Sequence, residues 1–313
     1  MTTARPAVAV AARLGPPLLE ALERTYETHH LWRGDAVGGQ EAARVRALVT
    51  SGTVGADAAT LARFPNLGLV ANFGVGYDAI DVAAARAAGI AIAYTPDMLL
   101  IDDVADLAMG LLIAVVRRIS AGDRFVRRGD WLRSRPALTG SLGGRTLGIV
   151  GFGRIGAAIA RRAEASRMTV EYHGRRPKPD LPYRWHADPA SLAQASDFLV
   201  LACPGGEETR RLVDARVIDA LGPAGVLVNV ARGTVVDEAA LVAALEEGRL
   251  GGAGLDVFED EPNVPEALLA RDDVVLSPHL GGGTLDAREA MGRLLLDNLA
   301  AWFEGRPLPT PIA

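Results

Sequence analysis

The chain has 313 residues, of which 49% are hydrophobic and 23% charged, with a net charge of −5. That is enough length for two domains and a sizeable core, and the balance of an ordinary soluble globular protein, which excludes a disordered chain. Lys and Arg are scattered rather than clustered, so no nucleic-acid partner is expected. The longest apolar run, Leu107 to Val116 between Asp106 and Arg117, is half of what a bilayer-spanning helix needs, so no membrane partner is expected either.

Cys203 is the single cysteine, which rules out an intrachain disulfide and a cysteine-based metal centre and fits a reducing compartment. The N-terminal apolar stretch Ala7 to Ala12 is too short for a secretory segment, and only Arg5 precedes it as a cation, so a cytoplasmic protein is expected.

The first hundred residues have an α/β rhythm. Val8 to Ala11, Ala47 to Thr50, Leu67 to Asn72 and Ile90 to Ala93 are strand-like, Pro17 to Thr28 is helix-like, and the alternation suggests a first parallel sheet. Asp102 to Arg128 reads as one long helix, with Arg117, Arg118, Arg127 and Arg128 at the end where the helix dipole favours cations.

Thr146 to Gly156, TLGIVGFGRIG, is an apolar run feeding a Gly151-x-Gly153-x-x-Gly156 turn and then a helical segment, Ala157 to Ala163. In this dinucleotide fingerprint Gly151 permits the tight turn, Gly153 lets a pyrophosphate approach, and Gly156 allows close helix packing, with the phosphates on the positive helix end. The second strand of a βαβ unit follows at Met168 to Tyr172.

NAD sites carry an acid about 20 residues beyond the glycines, where the carboxylate accepts from the ribose 2′-hydroxyl. Here that place falls near Gly174, within His173-Gly-Arg-Arg-Pro-Lys178, and no carboxylate is present. Arg175 and Arg176 match a 2′-phosphate instead, so NADP(H) is expected in preference to NAD(H), with NAD(H) still possible. The plainer alternative is a solvated basic turn ahead of Pro177.

Phe198 to Ala202, Gly225 to Val230, Gly252 to Asp256 and Val274 to Ser277 complete a second sheet, with Cys203 expected as a buried strand-end residue. Thr284 to Glu304 reads as an amphipathic helix, with Leu294, Leu295, Leu299 and Trp302 roughly on one face, before the Pro-rich Pro307 to Pro311.

Ligands of doubly wound sheets bind beyond the carboxyl ends of the strands, which singles out Arg232, Glu261 and His279. Reduction of a 2-keto acid needs a cation for the carboxylate and carbonyl, an acid for the nascent alkoxide, and a group that tunes that acid; guanidinium, imidazolium and carboxylate supply these. Singly, each residue has an ordinary structural explanation: a satisfied strand-end histidine, an arginine paired with an acidic neighbour, a glutamate solvating a loop. Asp256, Glu259, Asp260 and Glu261 lack the alternation of a calcium loop, so no metal is expected, and GxSxG, GxxxxGK[ST] and HExxH are absent.

Taken together, Asn72 to Asp81 (NFGVGYDAID), the glycine fingerprint, Asn229 to Asp237 (NVARGTVVD), Gly254 to Pro262 (GLDVFEDEP) and Ser277 to Gly281 (SPHLG) resemble the D-isomer-specific 2-hydroxyacid dehydrogenases over essentially the whole chain. The resemblance implies Arg232, Glu261 and His279 as the catalytic set and the backbone N–H groups of Val75 and Gly76 as carboxylate donors, with Arg232 and His279 also touching substrate. It implies cofactor contacts from Gly151, Phe152, Gly153, Arg154, Ile155 and Gly156. Asp256 falls on the nicotinamide carboxamide contact, and Thr95, Asp103, Cys203, Pro204, Val230 and Gly281 on further ones.

The implied fold is α/β: two Rossmann-like, doubly wound parallel-sheet domains with a cleft between them. Residues 1–99, completed by 284–313, would bind substrate, and residues 100–283 the dinucleotide. Members of the family are typically homodimers joined through the cofactor domain. The subfamily looks like the glyoxylate/hydroxypyruvate and hydroxyphenylpyruvate reductases, with one departure. Asp97 to Asp103 (DMLLIDD) is richer in apolar residues than the version common among glyoxylate reductases, which would favour a bulkier substrate.

The end of the chain at Ala313 argues against the longer phosphoglycerate dehydrogenases, and the added polar residues of formate dehydrogenases are not found. The expected activity is NADPH-dependent reduction of a small 2-keto acid to the D-2-hydroxy acid. An alternative of another class is a dinucleotide-sensing interaction protein resembling the corepressors of this fold.

Overall fold

The computed structural model describes residues 5–96 and 98–312, apart from the side chains of Met98 and Leu99. Asp97, the first residue of the apolar-rich stretch, therefore lies outside the described residues. The chain divides into two compact units, Met1–Met98 with Leu285–Ala313, and Leu99–Thr284.

In the first unit five strands, β1 (Ala7–Val10), β2 (Glu27–His30), β3 (Val45–Ser51), β4 (Leu69–Phe73) and β5 (Ala91–Ala93), form a wholly parallel sheet in the order β2-β1-β3-β4-β5. β1 and β4 are buried along their whole length, as strands of a sheet covered on both faces are, and β4 carries a single buried polar side chain, Asn72. Leu48, Phe64 and Val70 anchor its core.

The helix expected over Pro17 to Thr28 stops earlier. It spans Pro16–Thr25, and Glu27–His30 leaves it to pair with β1 as the edge strand. The extended cap at Tyr26 ends the helix, and β-branched Thr28 suits a pleated edge better than a helix interior.

In the second unit seven parallel strands, β6 (Thr146–Val150), β7 (Thr169–His173), β8 (Arg184–His186), β9 (Phe198–Leu201), β10 (Val226–Asn229), β11 (Gly252–Leu255) and β12 (Val274–Leu276), run in the order β12-β11-β10-β9-β6-β7-β8. The order reverses between β6 and β9, which is where a doubly wound sheet opens a crevice for ligand. Leu199, Leu201, Leu227 and Leu241 are among the residues that fill the core on one face.

The helix expected from Asp102 to Arg128 is two helices, Met98–Val116 and Ile119–Arg127. Arg118 adopts a left-handed conformation (φ 49°), and its N–H closes the first helix on the Val115 carbonyl, so the axis turns there. The last helix is Leu285–Phe303, and no described helix is long and apolar enough to cross a membrane.

Candidate active site

β6 delivers the chain into the glycine loop, and the three glycines divide the work in a way their surroundings explain. Gly151 is at φ 94°, and a Cβ there would lie 2.5 Å from the backbone of Cys203. A Cβ on Gly156 would lie 2.4 Å from the Gly151 carbonyl oxygen. These two positions are closed by the fold itself. Gly153, by contrast, faces open space, with nothing within 4 Å of a built Cβ, and it caps the helix Arg154–Ala165 with no side chain on the first-turn amides. An open ledge before a free helix N-terminus fits a dinucleotide pyrophosphate.

Phe152 turns its ring inward against Tyr172 and Tyr183, and its carbonyl accepts from Lys178 Nζ at 2.7 Å. The Lys178 N–H donates to the buried Tyr172 hydroxyl, so Lys178 ties the turn after β7 both to the glycine loop and back to β7 itself. Lys178 is a positioning residue that sequence reasoning recognised only as part of a basic run. Arg154 is exposed and Ile155 half-buried. Arg175 and Arg176 are exposed in the same turn, and Arg175 is 3.6 Å from Glu208 across open solvent. The Gly174 carbonyl accepts from Trp185 Nε1.

Cys203, Pro204 and Val230 follow β9 and β10. Burial pushes the Cys203 thiol up to about 11, so it stays protonated and inert. The Pro204 carbonyl accepts from Thr209, and Val230 donates to Leu201.

The structure brings Arg232, Glu261 and His279 together. Arg232 is the extended residue after β10. Its carbonyl accepts from Asn229 Nδ2 at 2.9 Å, while Asn229 Oδ1 accepts from Ala231 N–H, so a buried asparagine sets the Arg232 backbone. A Cβ on the next residue, Gly233, would fall 1.9 Å from the Phe258 carbonyl, so only glycine permits this turn to press on the Phe258–Glu261 loop. That loop bends Glu261 back to accept from the Phe258 N–H through Oε1. Its Oε2 meets His279 Nδ1 at 2.7 Å.

Burial opposes the charge on Glu261, but the hydrogen bond and charge of His279, the Phe258 N–H and the nearby Arg232 guanidinium outweigh it and lower its pKa. An ionised carboxylate only accepts, so Nδ1 is the donor, and Nε2 is the imidazole nitrogen left for a substrate.

His279 sits at φ 54°, a conformation that histidine seldom adopts. Asp256 holds it there. The Asp256 carbonyl accepts from His279 N–H, and its carboxylate accepts from Ser277 Oγ, Leu280 N–H and Gly281 N–H at 2.6, 2.7 and 2.8 Å. Three of about four lone-pair sites are thereby used, and one remains for a ligand amide. Asp103 stands on the helix Met98–Val116, accepting from the Thr284 hydroxyl.

The other unit carries Val75 and Gly76 in the turn after β4. Asn72 Nδ2 donates to the carbonyls of Gly74 and Gly76, at 3.1 and 2.9 Å. The Gly74 N–H donates to Thr95 Oγ1, while Thr95 N–H donates to Gly74 O, so the wholly buried Thr95 serves this turn. Neither the Val75 nor the Gly76 amide has a hydrogen bond among the described residues. The sequence motif alone assigns Asn72 no role; an amide side chain at a strand end before G-x-G is the signal that points to one.

Parallel sheet, glycine loop and a histidine–carboxylate pair beside an arginine define the class of dinucleotide-dependent oxidoreductases. Residues 109–281, more than half of the chain, match the D-isomer specific 2-hydroxyacid dehydrogenase, NAD binding domain. The chain is 50% identical over 268 residues to glyoxylate/hydroxypyruvate reductase A of Arabidopsis thaliana, covering 86% of this chain and 85% of that protein. It is 48% identical over 272 residues to the hydroxyphenylpyruvate reductase of Plectranthus scutellarioides, covering 87% of each. The crystal structure of an NADPH-dependent glyoxylate/hydroxypyruvate reductase from Sinorhizobium meliloti, in complex with NADP and malonate, matches with a TM-score of 0.93 and 44% identity, over 99% of this chain and 97% of that one. The chain belongs to the D-isomer specific 2-hydroxyacid dehydrogenases.

Proposed function

We propose that this enzyme reduces a small 2-keto acid, of the glyoxylate or hydroxypyruvate kind, to the D-2-hydroxy acid with NADPH. The single observation that carries the reading is the His279–Glu261 pair with Glu261 held ionised beside Arg232. The bound nicotinamide supplies the hydride. Arg232 holds and polarises the keto acid, His279 gives a proton from Nε2 to the carbonyl oxygen, and Glu261 stabilises the imidazolium through Nδ1. The Val75 and Gly76 amides are the assigned donors to the substrate carboxylate.

Residues 100–283 serve as the cofactor domain, and residues 1–99 with 284–313 as the substrate domain. Gly151 to Gly156, Asp256 and Gly281 are assigned to the cofactor together with Thr95, Asp103, Cys203, Pro204 and Val230, and Arg175 and Arg176 to its 2′-phosphate. The relatives are reductases, and the alternative of a dinucleotide-sensing interaction protein has no support among them.

The test is the initial rate of NADPH oxidation at 340 nm with glyoxylate, hydroxypyruvate and phenylpyruvate. Turnover that prefers NADPH is expected; cofactor binding without turnover of any of the three would abandon the reductase reading.

The Val75–Gly76 turn has its own test. Asn72→Ala removes both carbonyl tethers, and an increase of about tenfold in the KM for glyoxylate is expected with NADPH affinity unchanged, the scale of one or two lost hydrogen bonds. An unchanged KM would remove the turn from substrate binding.

A cytoplasmic homodimer joined through the cofactor domain is part of the same proposal. It is supported by large apolar side chains left in the open on that unit: Trp131 at 61%, Leu132 at 92% and Leu138 at 99% exposure. Leu132→Asp with Leu138→Asp is expected to convert a dimer to a monomer in analytical ultracentrifugation, and a monomeric wild type would dismiss this surface as an interface.

A further inference from the structure

Glu238 opens the helix Glu238–Glu246, a short way past Arg232 in the chain. An acid in a first turn is ordinarily explained by the helix dipole. Here the carboxylate reaches out of its own helix: Oε2 accepts from the Glu259 N–H at 3.1 Å, across 21 positions of sequence. Capping of the helix is left to Asp237, whose Oδ1 accepts from the Ala240 N–H.

The amide that Glu238 holds belongs to the Phe258–Glu259 peptide, and Gly233 packs on that same peptide. A Cβ built on Gly233 would lie 1.9 Å from the Phe258 carbonyl carbon and oxygen and 2.4 Å from the Glu259 nitrogen. Between Gly233 and Glu238 the chain is tied down by Val213, whose N–H donates to Val235 O and whose carbonyl accepts from the Asp237 N–H, at 3.0 Å each. Arg232, Gly233 and Glu238 thus lie on one braced segment. That segment grips the loop in which Glu261 turns back to accept from the Phe258 N–H at 3.2 Å.

The Glu259 side chain takes no part in this grip, because its Oε1 pairs with Arg211 and Arg210 at 3.4 and 3.7 Å. Burial pushes the Glu238 carboxyl above its ordinary range, the charges of Glu259 and Asp260 add to the rise, and the Glu259 N–H opposes it. A half-buried acid beside two others is therefore kept against its own electrostatics, and the group that offsets the cost is the loop amide.

We infer that Glu238 is a positioning residue: by holding the Glu259 N–H it fixes the Phe258–Glu261 loop to the Arg232 segment and so places the Glu261 carboxylate against His279. The effect on turnover rests on the reductase reading; the placement of Glu261 does not.

Glu238→Ala removes the acceptor, whereas Glu238→Gln keeps one in its amide oxygen and removes only the charge. Both are followed by ¹³C-carboxyl NMR of the intact protein, with the Glu261 signal identified by its absence in Glu261→Gln. The titration midpoint of Glu261 is expected to rise towards the ordinary carboxylate range in Glu238→Ala, and to stay at or below the wild-type value in Glu238→Gln. The sign separates grip from charge, since loss of a neighbouring negative charge by itself would lower that midpoint. The kcat for glyoxylate is expected to fall about tenfold in Glu238→Ala, the scale of one lost hydrogen bond, with the NADPH dissociation constant unchanged, and to recover in Glu238→Gln. Glu238→Met, which keeps the length of the stem without an oxygen, takes the place of the alanine variant if that one does not fold.

A midpoint that is unmoved or lowered in Glu238→Ala overturns the placement, and so does Glu238→Gln behaving as Glu238→Ala does. If the wild type reduced none of the keto acids tested, the reductase reading would fall, while the carboxyl titration would still decide whether Glu238 places Glu261.

Discussion

Replacing His279 with alanine is expected to lower kcat by about 10² to 10⁴, the range of a lost general acid, and to leave the dissociation constant of NADPH close to that of the wild type. The two readouts separate because, among the described residues, the imidazole hydrogen-bonds to Glu261 alone, whereas the loop that carries it is held through backbone groups. Asp256 grips the amides of His279, Leu280 and Gly281, and none of those contacts needs the ring. Removing the ring should therefore leave the glycine loop and the φ 54° turn in place.

Glu261→Gln is the companion experiment. The amide keeps the shape but cannot stabilise an imidazolium as a carboxylate does, so a loss in kcat smaller than that of His279→Ala is expected. Its pH behaviour has a defined sign. The Glu261 carboxyl lies below its ordinary range in the folded protein, so its contribution to stability is complete above the ordinary carboxylate pKa and fades as the pH falls through the folded value. Wild type should be more stable than the glutamine variant at neutral pH, and the gap should close on acidification, as followed by denaturant midpoints. A gap that widened in acid would mean that the carboxylate is not the ionised partner.

The strands of both sheets were legible because buried parallel strands are written as unbroken runs of Val, Leu, Ile and Ala, and β6 feeding three glycines is specific enough to place the loop. What escaped the sequence was decided by tertiary context. β2 and β8 are short edge strands of mixed composition, ETHH and RWH, whose extended form comes from pairing with β1 and β7 rather than from an apolar period. The break at Arg118 carries no Pro or Gly to announce it; an arginine in the left-handed region is a cost accepted where the chain must turn. At the site, Arg232, Glu261 and His279 were legible as polar residues past strand ends. Asn229, Asn72 and Lys178 were not, because each acts on backbone carbonyls or amides that only the folded turns bring within reach. Thr95 and Asp103 were assigned to the cofactor, and the hydroxyl of the first and the carboxylate of the second have partners in the chain itself.

Cofactor choice should be reversible at three residues. Arg175 and Arg176 leave the end of β7 with their guanidiniums in solvent, and the carboxylate that pairs with Arg175 among the described residues, Glu208, is 3.6 Å away with both side chains almost fully open. A pair of that kind holds together with about 1 kcal/mol or less, so it yields to a 2′-phosphate, which offers more charge and better hydrogen-bond geometry. Replacing both arginines with alanine is expected to lower kcat/KM for NADPH about 10- to 100-fold, the scale of one or two solvent-exposed charge-assisted hydrogen bonds, with little change for NADH.

Gly174 is where the missing acid would stand, and nothing lies within 4 Å of a Cβ built there, so aspartate fits without displacing a neighbour. Its carbonyl, which accepts from Trp185, is untouched by the change. Gly174→Asp in the double-alanine background supplies an acceptor for the ribose 2′-hydroxyl and repels a 2′-phosphate, so the ratio of kcat/KM for NADPH to that for NADH should fall below one. If that ratio stayed at its wild-type value in both variants, the basic turn after β7 would be mere surface and the NADPH preference would have to be built elsewhere in the loop.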